Sequence, residues 1–421
     1  MSDVHPVTIT LSEKVRTFSA NFQTETTFSS GWQSTLKAAY GKAELRCGCT
    51  GSGPKRLAVK YYEGSDQFSL ARFSLSGGQH SIDCQFYSAS PTQTGAGGGN
   101  SSVLDQQPDG SVKIRLEIGM VERDTPAELA SPKRPQQERK PSTSQSSMKL
   151  LGLLHYLWDE AGLNQWMSGF AGKRRPSVAY RLINNATENV WAGTLKLVDQ
   201  MLLPAFGADT QEADRNRERA AAALESKHRM LLIAPLAAFT QERADIMARQ
   251  MKISGFHGMP IVYMKAGLWD STVRRFKNEL SAWRNGAGTV AIVQVELKKS
   301  SKSVYASAID MAIMSITSEF IPVESSYERI IADRLVAQGR SFSKPLRFDS
   351  ITDQVLPDFI LTDTKREVPL EVFGRNDAAY LQRKREKEAY YDELYGRGGW
   401  WSWNASANSD AESVPPFPAA R

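Results

Sequence analysis

The chain has 421 residues, of which 41% are hydrophobic and 23% charged, and its formal net charge is +6. This length and apolar content predict two to four domains with real cores. The mild positive charge suits contact with phosphate but decides no function. No window approaches the roughly 18 apolar residues needed to span a membrane. Residues 1–11 lack the basic start and apolar run of a secretory signal. We therefore expect a cytoplasmic protein with no membrane partner.

Residues 1–123 are predicted to form a β-rich domain. Residues 56–62 and 68–75 are rich in β-forming side chains and are bounded by Gly and Ser. Residues 88–101 have the Gly, Ser and Thr content of a flexible linker. Residues 111–121 then read as one further strand.

Residues 124–147 are polar and rich in Pro, Ser and Gln, which predicts a disordered linker. A helical domain is expected over residues 148–227, where an apolar stripe begins the first helix. Pro176 is placed to open a second helix, and the helical pattern is expected to continue through 177–205. Residues 209–227 are charged and Ala-rich, as in an exposed helix.

The next segment, residues 228–321, is predicted to be an α/β region in which strands and helices alternate. The predicted strands are 229–236, 259–264 and 289–297, and the predicted helices are 240–251, 272–283 and 306–319.

A compact unit with the order αβββαβ is predicted over residues 322–404, followed by a disordered tail at 405–421. Gly and Asp turn signals separate its elements. The predicted helices are 325–338 and 377–394, and the predicted strands are 344–349, 357–362, 367–373 and 399–403.

All three cysteines of the chain lie in its N-terminal part, close to one histidine. They form a CxC…HxxxC set, and the odd, small count argues against a secreted disulfide scaffold. Four Cys or His donors are what a structural Zn²⁺ site requires. The alternative is three buried free thiols and a surface histidine. The predicted zinc ligands are Cys47, Cys49, His80 and Cys84.

Three acids and a lysine occupy suggestive places in residues 322–404. Glu328 lies on the first helix, Asp358 starts a strand, Glu371 lies on the next strand and Lys387 on the following helix. Cleavage of a phosphodiester needs an activated water and neutralisation of charge, and Mg²⁺ on one or two carboxylates supplies both. A nearby lysine stabilises developing charge. The alternative without a functional site is a surface sheet with ordinary acids and a solvated basic helix.

This order of elements, with Pro-Asp opening one strand and an acid in the next, resembles the PD-(D/E)xK nuclease superfamily. The resemblance implies that Asp358 and Glu371 bind Mg²⁺ or Mn²⁺ and that Glu328 supports the site. The lysine usual in that family falls at Phe373 here. Some branches place it on the following helix, which implies Lys387.

Two further basic residues of the same helix, Arg383 and Lys384, are rival candidates for that lysine and for contact with nucleic acid. Tyr380, Lys384 and Lys387 share one helical face by their spacing. A nuclease fold that only binds DNA remains the alternative to an active enzyme.

A second basic group, Lys173, Arg174 and Arg175, lies between two predicted helices and could contact a phosphate backbone. A solvated loop explains it equally well. The whole chain also resembles a family of uncharacterised bacterial proteins carried on plasmids and integrative elements, through the cysteine set, residues 150–166 and the ending PDFIL…LEVFG…GGWWSWN. This resemblance implies a bacterial cytoplasmic setting and a part in element transfer or maintenance, but no activity.

The sequence thus predicts a multidomain α/β protein with a zinc-binding β-rich N-terminal domain, a helical and α/β middle, and a C-terminal restriction-endonuclease-like core. The expected function is Mg²⁺-dependent hydrolysis of phosphodiester bonds in DNA. The alternative is a noncatalytic zinc-containing DNA-binding or assembly factor. The sequence leaves the oligomeric state open.

Overall fold

The structure, a computed structural model, describes residues 3–62, 66–74, 76–88, 103–122, 147–301, 303–347 and 356–421. The predicted linkers at 88–101 and 124–147 fall almost entirely outside the described residues. The described part of the chain is a mixed α/β structure with four sheets and ten α-helices. None of its helices is both long enough and apolar enough to cross a membrane.

The N-terminal unit is an antiparallel five-stranded sheet with two helices. Its sheet order is β2-β1-β3-β4-β5, and Trp32 and Leu36 of the longer helix pack on it. The strand predicted at 56–62 is confirmed. The strand predicted at 68–75 covers residues 67–72, and residue 75 lies outside the described residues. The elements are β1 Val7–Leu11, β2 Lys14–Phe18, α1 Ala20–Thr24, α2 Ser29–Ala39, β3 Glu44–Cys47, β4 Arg56–Tyr62 and β5 Gln67–Arg72.

The middle of the chain contains the largest sheet and most of the helices. Its elements are β6 Leu104–Gln106, β7 Val112–Ile114, α3 Leu150–Glu160, β8 Gln165–Trp166, α4 Pro176–Thr187, β9 Val190–Ala192, β10 Leu195–Lys196, β11 Met201–Leu202, α5 Gln211–Ser226, β12 Met230–Pro235, α6 Gln241–Ile246, β13 Ile261–Met264, α7 Leu268–Arg275, α8 Lys277–Arg284, β14 Gly288–Lys299, β15 Val304–Ile316 and β16 Pro322–Val323.

Two sheets organise these elements. The order β10-β9-β7-β6 forms a small sheet, and β11-β12-β14-β15-β13 forms a larger one with β16 paired to β15. A single hydrophobic cluster extends from Val103 to Leu346 and includes residues of α3, α4 and both faces of the larger sheet. The predicted helical domain and the predicted α/β region therefore share one core.

The strand predicted at 111–121 is only β7 at 112–114, and the helix predicted at 240–251 is only α6 at 241–246. Three other predictions in this region are wrong. Residues 177–205 do not remain helical: α4 ends at Thr187, and β9, β10 and β11 follow. The helix predicted at 272–283 is two helices, α7 and α8, which meet at Phe276. The helix predicted at 306–319 is the strand β15, paired with β14 over its whole length. A β-hairpin partner outweighs the helix propensity of its Ala and Met residues.

The C-terminal unit has the predicted order of elements, but its first strand lies at 342–343 and not at the predicted 344–349. The elements are α9 Ser326–Ala337, β17 Phe342–Ser343, β18 Phe359–Leu361, β19 Val368–Val372, α10 Ala378–Tyr395 and β20 Trp401–Trp403. Its sheet order is β20-β19-β18-β17-β8, so the outermost strand comes from residues 165–166. The strands β17, β18 and β19 are antiparallel, and β20 is parallel to β19.

The structure differs from the disordered tail predicted at 405–421. Ala405 and Val414 are buried in the core of the C-terminal unit. The indole N–H of Trp401 donates to Pro416 O at 3.1 Å, and the ring of Trp401 packs on Phe417. Apolar side chains of this segment pack into the core of the C-terminal unit. The Ala, Ser and Pro content of the segment gave no indication of this packing.

Candidate functional site

The four predicted zinc ligands meet in one buried cluster. Cys47 Sγ lies 3.7 Å from Cys84 Sγ, and His80 Nδ1 lies 3.6 Å from Cys49 Sγ and 3.7 Å from Cys84 Sγ. All four ligand atoms lie within 4.8 Å of one another. A tetrahedral zinc site with Zn–S of about 2.3 Å and Zn–N of about 2.0–2.1 Å has S–S edges of about 3.8 Å and S–N edges of about 3.6 Å. The cluster can hold a metal such as zinc.

The loop between β3 and β4 brings two of the sulfurs to the histidine. Lys55 Nζ donates to the carbonyls of Cys49 and Gly51, at 2.9 and 2.8 Å, and so closes the loop. Gly51 is needed because a Cβ there would lie 2.2 Å from Gln79 O. The glycines that the sequence places around these cysteines thus permit a backbone approach that no larger residue allows.

Hydrogen bonding within the cluster favours thiolate at Cys47. The amides of Ser81 and Phe86 donate to Cys49 Sγ and Cys84 Sγ, both at 3.5 Å. The hydrogen bond from Cys84 lowers the pKa of Cys47 to about 4, and the same hydrogen bond raises the pKa of Cys84. Thiolate is the form of cysteine that binds a metal. The alternative of a surface histidine is wrong, because His80 is buried.

The four predicted C-terminal residues lie on one cleft of about 1650 Å³. The cleft runs between α8 and the C-terminal unit, so Ser281 and Asn285 form its opposite wall. The acids and lysines on it are Glu324, Glu328, Asp358, Glu371, Lys384, Glu386 and Lys387. Residues separated by up to 63 positions in sequence therefore converge, as the order of elements predicts.

Asp358 and Glu371 are brought together by the pairing of β18 with β19. The amide of Asp358 donates to Leu370 O at 3.0 Å, and Asp358 Oδ2 accepts the amide of Val372 at 2.7 Å. The hydrogen bonds on both sides of Glu371 thereby fix the Asp358 carboxylate beside it. Glu371 is only 2% exposed.

The helix α10 supplies two hydrogen-bond donors to Glu371. Lys387 Nζ lies 2.7 Å from Glu371 Oε2 and 3.0 Å from Leu356 O. The hydroxyl of Tyr391 donates to Glu371 Oε1 at 2.6 Å. Lys387 thus points at the acids and not at solvent. Sequence reasoning missed Tyr391, although it continues the helical face of Lys384 and Lys387 by one turn.

The rival basic residues of α10 have other neighbours. Lys384 Nζ lies 4.5 Å from the ring centroid of Phe373, the residue at the usual lysine position of the resembled family. The guanidinium of Arg383 is exposed and lies 6.0 Å from the ring of Tyr380. Of the three candidates, Lys387 is the one that contacts a site carboxylate.

Glu328 reaches the cleft from the first turn of α9, and its partner is a lysine that sequence reasoning missed. The hydroxyl of Ser325 accepts the amide of Glu328 at 3.1 Å and starts the helix. Lys344 Nζ lies 2.8 Å from Glu328 Oε2 and 4.0 Å from Asp358 Oδ1. Lys344 is only 2% exposed. Its place in a predicted strand next to an acid-bearing helix was the available signal.

Burial dominates the acid–base behaviour of the site. It raises the pKa of Glu328 to about 7, although the Lys344 ammonium opposes the change. Burial and then the charge of Asp358 raise the pKa of Glu371 to about 8, although Lys387 and Tyr391 oppose it. Both acids therefore hold a proton near neutral pH more readily than ordinary carboxyls do. Within the described ranges, the cysteine cluster is the only group in which three or more metal-ligand atoms of His, Cys, Asp or Glu lie within 4.8 Å of one another.

The three basic residues at 173–175 do not share one environment. Lys173 and Arg175 are exposed. The guanidinium of Arg174 turns inward, where it donates to the carbonyls of Leu163, Glu319, Gly162 and Gln165. It also lies 4.8 Å from the ring of Phe170. Arg174 is therefore committed to the protein and unavailable to a phosphate.

The structure thus defines a mixed α/β protein whose N-terminal unit has a buried Cys₃His cluster able to hold a metal such as zinc. The family model described as protein of unknown function (DUF1173) matches residues 18–406. Because that match covers nearly the whole chain, the protein belongs to this family. The resemblance to an uncharacterised family over most of the sequence is confirmed. A comparison with curated proteins gave no match.

Proposed function

We propose that the protein is a metal-dependent nuclease that hydrolyses phosphodiester bonds in DNA at the cleft between α8 and the C-terminal unit. The observation that carries the proposal is the convergence of Lys387 and Tyr391 on Glu371, with Asp358 fixed beside it on the neighbouring strand. Two carboxylates and a directed ammonium are the groups that phosphodiester hydrolysis needs.

The order of α9, β17, β18, β19, α10 and β20 supports the proposal, because it is the αβββαβ order of the PD-(D/E)xK superfamily. Phe373 departs from the family pattern. The contact of Lys387 with Glu371 supports the variant in which the lysine comes from the following helix.

The donor set fits a hard divalent cation. Asp358 and Glu371 carry carboxylates on adjacent strands, and burial together with the charge of Asp358 raises the pKa of Glu371. Mg²⁺ held there would activate a water and neutralise charge on the phosphate. Lys387 would orient the attacking water or stabilise negative charge as it develops. Glu328 would support the site from α9.

The cleft suits a polymer better than a small molecule. Its volume of about 1650 Å³ exceeds the roughly 300–1,000 Å³ of typical small-molecule sites. Arg375, Arg383 and Lys384 line it, and such a row of cations attracts a phosphate backbone. The bacterial and mobile-element setting implied by the sequence resemblance belongs to the same proposal.

The test is cleavage of plasmid and single-stranded DNA with Mg²⁺ or Mn²⁺ by wild type, Asp358→Ala and Glu371→Ala. The matched control is Glu412→Ala, an exposed acid of the tail. Metal-dependent cutting that both site variants lose and the control keeps supports the nuclease. Cutting that survives in both site variants would come from a contaminant and would refute the assignment.

One observation favours the second candidate, a noncatalytic DNA-binding or assembly factor. Lysines already neutralise Glu371 and Glu328, and Phe373 replaces the strand lysine. DNA binding without cutting under every metal condition would establish this candidate instead.

The exposed Lys173 and Arg175 are proposed DNA contacts in either case. Reversing both charges should weaken binding and flatten its salt dependence, and an unchanged salt slope would remove them from the interface.

We also propose that zinc at the cysteine cluster is structural. The four donors complete a tetrahedron and leave no open position for a substrate. Purified protein should contain one zinc per chain, and Cys47→Ser should lower both the zinc content and the stability. Zinc-free protein that folds normally would refute this role.

A further inference from the structure

Lys344 is a buried ammonium placed among the acids of the cleft. Its Nζ lies 2.8 Å from Glu328 Oε2, 4.0 Å from Asp358 Oδ1 and 3.7 Å from Glu324 Oε1. The ammonium also lies over the face of the Phe359 ring, with Nζ 5.4 Å from the ring centroid. Glu324 is mainly exposed, so the two inner contacts, to Glu328 and Asp358, define the position of the charge.

The backbone of Lys344 is held on both sides by one residue. Its amide donates to Asn164 O at 2.8 Å, and its carbonyl accepts from Asn164 Nδ2 at 3.0 Å. Asn164 Nδ2 also donates to Asp159 Oδ1 at 2.9 Å, and that carboxylate accepts from Ser88 at 3.2 Å. These residues are all buried. The backbone of Lys344 is therefore held in place by Asn164, and its side chain is buried with it.

We propose that the Lys344 ammonium is the fixed second cation of the site, so that the cleft takes a single divalent metal ion, at Asp358 and Glu371. This inference rests on the proposed nuclease function. Two-metal sites place their ions about 3.5–4 Å apart and share a carboxylate between them. A second ion shared by Asp358 and Glu328 would need the space that the ammonium fills. Lys344 supplies one positive charge at that position without the binding of a second metal ion.

Lys344 acts through the carboxylates and not on the substrate. At 2% exposure it has no access to a phosphate in the cleft. It is a positioning residue: it holds Glu328 and limits the negative charge around Asp358. Glu328 is accordingly a support for the site and not a metal ligand.

The direct test counts Mn²⁺ bound by the full-length protein, by equilibrium dialysis and electron paramagnetic resonance, with zinc counted separately by mass spectrometry. Wild type should bind one Mn²⁺ that Glu371→Ala loses. Two Mn²⁺ ions that both require Asp358 would overturn the inference and leave the proposed nuclease intact. No bound Mn²⁺ would overturn the metal-dependent function itself, and the inference with it.

Substitution of the lysine gives the second readout. Lys344→Met should bind two Mn²⁺ ions, because Glu328 and Asp358 then face each other without a cation, whereas Lys344→Arg should bind one. Lys298→Met, in a surface ion pair with Glu296 and Glu122, is the matched control and should bind one. A folded Lys344→Met protein that binds one ion with wild-type affinity would overturn the proposal. The wild-type count decides the question if that variant does not fold.

Discussion

Arg174 belongs to a run of three basic residues but has a structural role. Its guanidinium satisfies carbonyls from two separate parts of the chain, at 3.1 Å for Leu163 and 2.9 Å for Glu319. Burial lowers its pKa to about 10, which leaves it charged at neutral pH. A charged donor that satisfies buried carbonyls stabilises the fold more than a surface ion pair does.

We predict that Arg174→Ala lowers the free energy of unfolding by about 1–3 kcal/mol, because it leaves buried carbonyls without donors. Lys173→Ala, one position away and exposed, should change it by no more than about 0.5 kcal/mol. Urea unfolding followed by tryptophan fluorescence measures both. Equal effects of the two substitutions would contradict the structural role of Arg174.

Asp363 gives a pH-dependent prediction. Arg340 donates to its two carboxylate oxygens at 2.8 Å each, and the amide of Ser341 donates at 2.9 Å. Burial raises the pKa of Asp363, but these donors outweigh it and the net pKa lies below the ordinary 3.8. A lowered pKa stabilises the fold fully above 3.8, and this contribution is lost as the pH falls through the folded-state value.

Asp363→Asn should therefore cost about 1.5–3 kcal/mol at neutral pH, and the difference from wild type should shrink at pH values below 3.8. Urea titrations at several pH values measure it. A difference that stays constant throughout would show that the carboxylate charge contributes nothing.

At the candidate site, local sequence was informative for residues on predictable elements. Asp358, Glu371 and Lys387 could be named because the predicted order of strands and helices resembles that of the PD-(D/E)xK superfamily, which implies these positions. Lys344 could not, because its burial depends on Asn164 and Asp159, which lie about 180 positions earlier. Phe373 was correctly identified as a departure, but only the structure places Lys384 against it.

Among the elements, the loop between β3 and β4, which carries Cys49, depends on close backbone packing. A Cβ on Gly51 would lie 2.2 Å from Gln79 O and 2.4 Å from the carbonyl carbon of His80. Neither atom belongs to a flexible side chain, so the His80 segment would have to move away from the cysteines.

Gly51→Ala should weaken zinc binding by about tenfold or more, in the range found when groups that orient metal ligands are changed. Competition with a zinc chelator measures the affinity. Gly169→Ala is the matched control, because a Cβ there meets nothing within 4 Å, and it should leave the affinity unchanged. Equal affinities in the two variants would contradict the packing argument.

The error at β15 shows the limit of periodicity for buried strands. Residues 311–316 are all buried, so the apolar run has no alternation to distinguish strand from helix. The partner strand β14, predicted correctly, lies on one side and β13 on the other. The pairing decides the structure, and a strand flanked on both sides reads as a continuous apolar run.

For the whole molecule, a buried ion pair connects the N-terminal unit with the central core. Arg72 on β5 lies 2.9 Å from Asp159 Oδ2 on α3, and both side chains are largely buried. Asp159 also contacts Asn164, which holds Lys344. The N-terminal unit and the cleft are therefore linked through the carboxylate of Asp159.

Arg72→Met should lower the free energy of unfolding by about 3–5 kcal/mol, because it leaves Asp159 buried without its cation. Adding Asp159→Asn should recover part of the loss. Urea unfolding of the single and double variants gives the coupling energy between the two positions. Additive effects would mean that the pair does not join the two parts.

The strand β8 has a practical consequence for dividing the protein. It closes one edge of the C-terminal sheet, although it lies far earlier in the chain. A recombinant fragment that begins at residue 322 would leave β17 as an open edge, with unpaired amides and carbonyls that favour aggregation. Expression of the cleft for biochemical work therefore requires the segment from α3 onward. By the same reasoning, gene rearrangement could not transfer the C-terminal unit to another protein as an independent module.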